Sequence, residues 1–293
     1  LASYHGAKVA LKLCRSARTA RELDSVMSEL RIYRRLRHPN IVTFYGSCID
    51  PTSMDIALVL EYVVGVPLRG AIPHYPPKFD EDLSKRLVLS DGICCAIAFL
   101  HAQEPVIIHG DIKESNILVE MGHGQSKPRL LDFGLSRLLT RGARGLGGSV
   151  RWMAPEVLMK GQHSISPKAD MFSFGRVLYM ILVGRRPLWK HSEQDISEMS
   201  REGRCPELEW PPDLGHGSVR LLSEDCVRPD PQARPSMIEV QKRLRENRPD
   251  IVDDQGCCDF LEGMKQGRKS LDPAQLASRR PLKQQEDLTR LLH

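Results

Sequence analysis

The chain has no apolar run near the ~18 residues that a membrane-spanning helix needs; the longest lies around residues 177–183. Aromatic residues make up only 5%. Eight cysteines are present, but Cys94-Cys95 and Cys257-Cys258 are adjacent rather than spaced as C-x-x-C. A zinc ribbon is therefore excluded, and the thiols read as reduced, in a cytoplasmic or nuclear setting. There is no strong charge of one sign: 42 basic minus 37 acidic residues gives +5, too mild to argue for nucleic acid. No internal repeat is found. What remains is ordinary: 293 residues, 41% hydrophobic and 27% charged, enough for a globular unit of about 250 residues and a tail.

The chemistry concentrates in residues 109–134, which read HGDIKESNILVE, a polar loop, then RLLDFG. Asp111, Lys113, Asn116 and Asp132 lie there at close spacing. Apolar runs at 106–108 and 117–119 predict short buried strands on either side of the loop. The turn-rich MGHGQSKP predicts a hairpin, with 129–131 returning as a third strand and carrying Asp132 back beside Asn116. Two acids, an amine and an amide converging on one point suit phosphoryl transfer, where positioning and charge neutralisation do most of the catalysis. A polar turn is the plain alternative for any such triplet alone.

Upstream, Lys8 to Leu13 alternates as a strand, with Val9, Leu11 and Leu13 on one face and Ala10 and Lys12 on the other. Residues 19–36 have helical spacing at Val26, Leu30 and Tyr33, with Glu29 near the middle, and Pro39 stops the helix. Strands are predicted at 41–46 and 56–62, then a flexible join at 63–67. Downstream, 80–103 predicts a long helix. Ser166-Pro167 predicts a cap and first position of another, apolar nearly all round to Val183 and stopped by Gly184. Shorter helices are predicted at 194–202, 218–226 and 236–247, with a tight turn at 230–235. Trp152 and Trp189 read as packing residues.

Taken in order, these motifs resemble the eukaryotic protein kinase catalytic domain over residues 1–249. The resemblance implies an α+β, two-lobed fold: a small β-rich N-lobe with hinge (1–63) and a large, mainly helical C-lobe (64–249). It implies ATP and Mg²⁺ as cofactors. Lys12 looks like the lysine that grips the α- and β-phosphates, and Glu29 like its helix partner. Ala10 and Leu118 would sandwich adenine, Leu60 is similar to the gatekeeper, and Glu61-Tyr62-Val63 to the hinge. Asp111 matches the residue that accepts the substrate hydroxyl proton, Lys113 the γ-phosphate lysine, and Asn116 and Asp132 the metal ligands. The resemblance also implies a Glu156–Arg234 ion pair, and Asp170 as a brace for the catalytic loop.

Lys113 two residues after Asp111, with Ser149 before Ala154, is similar to Ser/Thr kinases; Arg151 to Glu156 looks tyrosine-kinase-like. The mixture implies the tyrosine-kinase-like group acting on Ser/Thr of protein substrates in signal transduction. Two departures stand out. The first strand and its glycine-rich loop are missing, so the chain reads as an N-terminally truncated fragment that binds ATP poorly as it stands. Gly110 replaces the usual arginine, which predicts control independent of activation-segment phosphorylation. Residues 250–293 read as a polar, mostly disordered tail. A scaffold that keeps the fold without chemistry, and a small-molecule kinase on a related fold, are the alternatives.

Overall fold

The computed structural model describes residues 1–14, 20–50, 52, 55–72, 79–121, 126–134, 136–138, 149–160, 166–212, 214 and 217–247. The expected tail at 250–293 lies outside the described residues.

The N-lobe is an antiparallel sheet in the order β1-β2-β4-β3. Its strands are β1 (Ala2–Tyr4), β2 (Ala7–Cys14), β3 (Phe44–Ile49) and β4 (Ile56–Glu61), and helix α1 (Ala20–Tyr33) joins β2 to β3. The alternation of β2 is as expected, but its apolar face is the outward one: Leu11 and Leu13 are exposed while Val9 is buried. The reason is α1, which packs on the face that carries Lys12 and offers it a carboxylate. The strand expected at 41–46 begins only at Phe44, because residues 40–42 instead pair with the large lobe: Leu130 N donates to Asn40 O and Val42 N to Leu130 O.

The join carries a short strand, β5 (Gly65–Pro67), and a single helical turn, α2 (Leu68–Ala71). Gly65 lies so close to β7 (Ile117–Met121) that a Cβ there would sit 2.3 Å from the Val119 carbonyl oxygen. Helix α3 (Phe79–His101) leads to β6 (Ile107–Ile108), then β7 and β8 (Ser126–Leu130) form the expected hairpin. The hairpin's second strand starts earlier than the sequence suggested, at Ser126 rather than 129. β9 (Arg137–Leu138) pairs with β6.

The C-lobe continues through α4 (Pro155–Lys160), α5 (Pro167–Val183), α6 (Glu193–Arg201), α7 (Gly217–Cys226) and α8 (Met237–Glu246). Every residue of α5 from Ala169 to Val183 is buried, as its all-round apolar pattern requires. Gly184 ends it at φ 74, a conformation open to glycine, and its N–H caps the Met180 carbonyl. Ser166 precedes α5 as expected, but its side chain makes no capping bond. Ser192 and Ser236, by contrast, close full capping boxes with Asp195 and Glu239. Trp152 is buried as expected; Trp189 is not, at 49% exposure. No described helix is long and apolar enough to cross a membrane.

Candidate active site

Register and hairpin bring the sequence-distant groups together. On β2, Ala10 is the cross-strand partner of Leu60 and Lys12 of Leu58. Alternation then sends Lys12 to the α1 side, where its Nζ meets Glu29 Oε1 at 2.6 Å and Asp132 Oδ1 at 2.6 Å. One amine thus joins a strand, a helix and the segment beyond the hairpin. Burial alone would lower the Lys12 pKa, but the hydrogen bonds its amine donates to Asp132 and Glu29 outweigh it and the pKa is raised. Burial pushes Glu29 up despite its lysine. Burial works in the same direction on Asp132, yet there the Lys12 and Gly134 N–H contacts win and the carboxyl is held below its usual range. The two acids differ because Glu29 is the more deeply enclosed.

Asp132 has φ 61, in the left-handed region, a local cost on the order of 1–2 kcal/mol. Its carboxylate accepts from the Gly134 N–H at 3.1 Å, which holds the turn. A side chain at Gly134 would crowd this centre, with a Cβ 3.2 Å from both Asp132 Oδ1 and Lys12 Nζ.

A second cluster forms on the loop after β6. Lys113 Nζ lies 2.7 Å from Asp111 Oδ2 and donates to Ser149 Oγ at 3.1 Å. Asn116 Nδ2 donates to the Asp111 carbonyl at 2.8 Å and to Asp111 Oδ2 at 3.0 Å. That leaves the Asn116 amide oxygen as an acceptor. Asp111 Oδ1 takes the Ser149 N–H at 3.4 Å. The clusters are linked through backbone: Leu131 N donates to Asn116 O at 2.8 Å, one residue before Asp132.

Beneath the loop, buried Asp170 of α5 accepts from the His109 N–H and the Gly110 N–H, each at 2.9 Å, and bonds His101 Nε2 at 2.9 Å. Burial alone would raise the Asp170 pKa; His101, His109 and the Gly110 N–H together bring it below the usual carboxylate range. Gly110 has φ 78, where glycine is unstrained. Glu156 and Arg234 pair bidentately at 2.7 and 2.8 Å with the guanidinium fully enclosed.

Of the other residues singled out from sequence, Val63 is buried and Leu118 lies in β7, opposite both Pro67 and Arg129. The Glu61 side chain turns to Arg129 Nη2 at 2.9 Å and to the Thr43 N–H, while its own N–H donates to the Thr43 carbonyl at 2.8 Å. Sequence reading missed this latch, which Arg129 extends to Glu120 and the Pro39 carbonyl. It also missed an aromatic column. Phe44 stacks on Tyr33 (5.4 Å), Tyr33 meets Phe133 (5.1 Å), and Phe133 meets His109 (5.1 Å), whose backbone Asp170 holds. Tyr33 was visible as part of the apolar stripe of α1; its neighbours come from three other segments and leave no local signal.

A half-buried lysine of the small lobe here faces an acid of the large one. The chain belongs to the protein kinase domain family, whose model matches residues 2–244. It is 31% identical to serine/threonine-protein kinase CTR1 of Arabidopsis thaliana, over 83% of this chain and 29% of that protein. It is 32% identical to the probable serine/threonine-protein kinase drkB of Dictyostelium discoideum, over 81% of this chain and 33% of the relative. It is 31% identical to the dual specificity protein kinase shkD of the same organism, over 82% and 32%. The chain thus spans about a third or less of the length of these relatives.

Proposed function

We propose that this chain transfers the γ-phosphoryl group of ATP to Ser/Thr hydroxyls of protein substrates, as a member of the tyrosine-kinase-like group. The single observation that carries the reading is Lys12 held between Glu29 and Asp132, beside a loop in which Asp111, Lys113 and Asn116 are mutually bonded. Lys12 binds the α- and β-phosphates, and Glu29 keeps its amine in place. Ala10, Leu60, Leu118 and the backbone of Glu61 and Val63 receive the adenine. Asp111 accepts the hydroxyl proton, and Lys113 neutralises the moving phosphoryl group.

The donor set fits Mg²⁺. An Asp132 carboxylate partly open to solvent and the Asn116 amide oxygen are hard ligands, too few for a protein cage, as expected when phosphates complete the shell. Bound there, the ion supplies charge neutralisation on the phosphate oxygens. The Lys113–Ser149 contact supports a Ser/Thr acceptor, because it places a segment hydroxyl on the amine next to the proposed base. The kinase unit is proposed to span 1–249, with its lobes meeting at the hinge, and to work in the cytoplasm.

The test is transfer of labelled phosphate from ATP–Mg²⁺ to a Ser-containing protein substrate by the full-length protein. Asp111→Ala is expected to cut the rate by about 10²–10⁴ with an unchanged far-UV spectrum. Retention of the wild-type rate by that variant would discard the assignment.

A further inference from the structure

Residues 184–191, between α5 and α6, are pinned to both segments that touch Asp111. From the catalytic loop, buried Glu114 pairs with Arg186 Nη2 at 2.6 Å, and its other oxygen has no hydrogen-bond partner among the described residues. From the segment carrying Ser149, the Arg151 guanidinium donates to the carbonyls of Pro187 and His191 at 3.0 and 2.8 Å. Leu188 is locked in by burial at φ 53. A surface held this firmly loses little conformational freedom when something binds to it.

What it presents outward is an indole with cations over it. The Arg185 guanidinium sits 5.5 Å and the Lys190 amine 5.3 Å from the Trp189 ring centroid. Lys190 has a carboxylate, Glu209 at 2.6 Å, and Arg186 has Glu114. Arg185 is exposed and has no carboxylate partner among the described residues. The patch therefore carries an unbalanced positive charge on a rigid aromatic base.

We propose that this patch is a docking surface for an acidic segment of the protein substrate, with Asp or Glu side chains meeting Arg185 while the acceptor hydroxyl reaches Asp111. The inference rests on the phosphotransfer reading for its placement beside the acceptor, and it adds the substrate class. Arg186 acts differently: it compensates Glu114 and positions the catalytic loop. Arg185 selects the segment that binds.

The experiment uses three peptides with one Ser and the same length, flanked by Glu, Gln or Lys, and a fourth with phosphoserine as the flanking anion. Binding is followed by fluorescence anisotropy without nucleotide, and kcat/KM by phosphate transfer. The Glu peptide is expected to exceed the Gln peptide by about fivefold per contact in both readouts, with the advantage shrinking as salt rises. Arg185→Gln should erase that ratio and Arg185→Glu should turn it toward the Lys peptide, with the melting temperature unchanged because the side chain is exposed. Equal binding of Glu and Gln peptides by wild type, a preference that survives Arg185→Glu, or a response to phosphoserine alone would each overturn the proposal. Acidic preference in anisotropy with no transfer to any peptide would leave the surface standing and sink the kinase reading instead.

Discussion

Arg234 is fully enclosed and shares both terminal nitrogens with Glu156, while its Nε and Nη1 also donate to the Arg228 and Lys168 carbonyls. Removing the carboxylate would leave a buried guanidinium uncompensated, a loss on the order of 3–5 kcal/mol. Glu156→Ala is therefore expected to lower the urea midpoint sharply without touching the groups around Asp111, and chemical denaturation measures it. Asp170 gives a pH-dependent counterpart. Its folded pKa lies below the ordinary value, so the unfolded chain binds more protons between the two. Its contribution is complete above about pH 4 and fades as pH falls through the depressed folded value. Asp170→Asn should be less stable at neutral pH, and its melting temperature should fall less steeply than that of wild type across that acidic window. Gly110 stands where the resemblance implies an arginine that reads a phosphorylated activation segment, residues 132–156, whose hydroxyls are Ser136, Ser149 and Thr140, the last outside the described residues. With no arginine there to read a phosphate, Thr140→Ala is expected to keep wild-type phosphotransfer; a drop to background would reject control independent of that segment.

Among the elements, α5 sets the C-lobe. Its apolar pattern runs round the whole cylinder, so neighbours must approach from every side, and at Gly175 the approach leaves no room for a side chain. A Cβ there would lie 2.6 Å from the Cys226 Cβ and 2.8 Å from Val227 Cγ1, at the end of α7. Gly175→Ala should gain helix propensity yet cost about 1–3 kcal/mol net, because overpacking displaces α7. A thermal melt decides the sign. The spacing of β2 and of α3, α5, α6 and α8 made these elements legible in the sequence to within a few residues, since periodicity is a local property. The start of β3 was not, because residues 40–42 exchange their place in the N-lobe sheet for bonds to Leu130. Nor was the outward face of β2: alternation separates two faces but does not say which one a helix will cover.

At the scale of the molecule, an aromatic column and a charged latch join the Lys12–Asp132 pair and the backbone bonds of residues 40–42 in tying the lobes. The aromatic column runs from Phe44 through Tyr33 and Phe133 to His109. Behind the hinge, Arg129 of the hairpin reaches Glu61 and the Pro39 carbonyl of the N-lobe, each at 2.9 Å. Arg129→Ala should cost about 1–3 kcal/mol of stability, as hydrogen bonds to charged groups do. It should also speed amide exchange along β4 and the hinge more than in α5, which hydrogen-exchange mass spectrometry reads directly. Equal exchange in both would mean that the latch does not restrain the lobes.

Periodicity placed most helices and strands to within a few residues, because it depends on neighbours a few positions apart, and the two-lobed fold followed from the resemblance that the ordered motifs carry. The tertiary structure alone decided that the Lys12 amine bonds Asp132 directly as well as Glu29, that Arg129 latches the hinge, and that Arg185 lies over an exposed Trp189 with no carboxylate partner among the described residues. Those facts arise where segments far apart in sequence compete for the same space and the same charges, and the outcome of that competition is a property of the packed molecule.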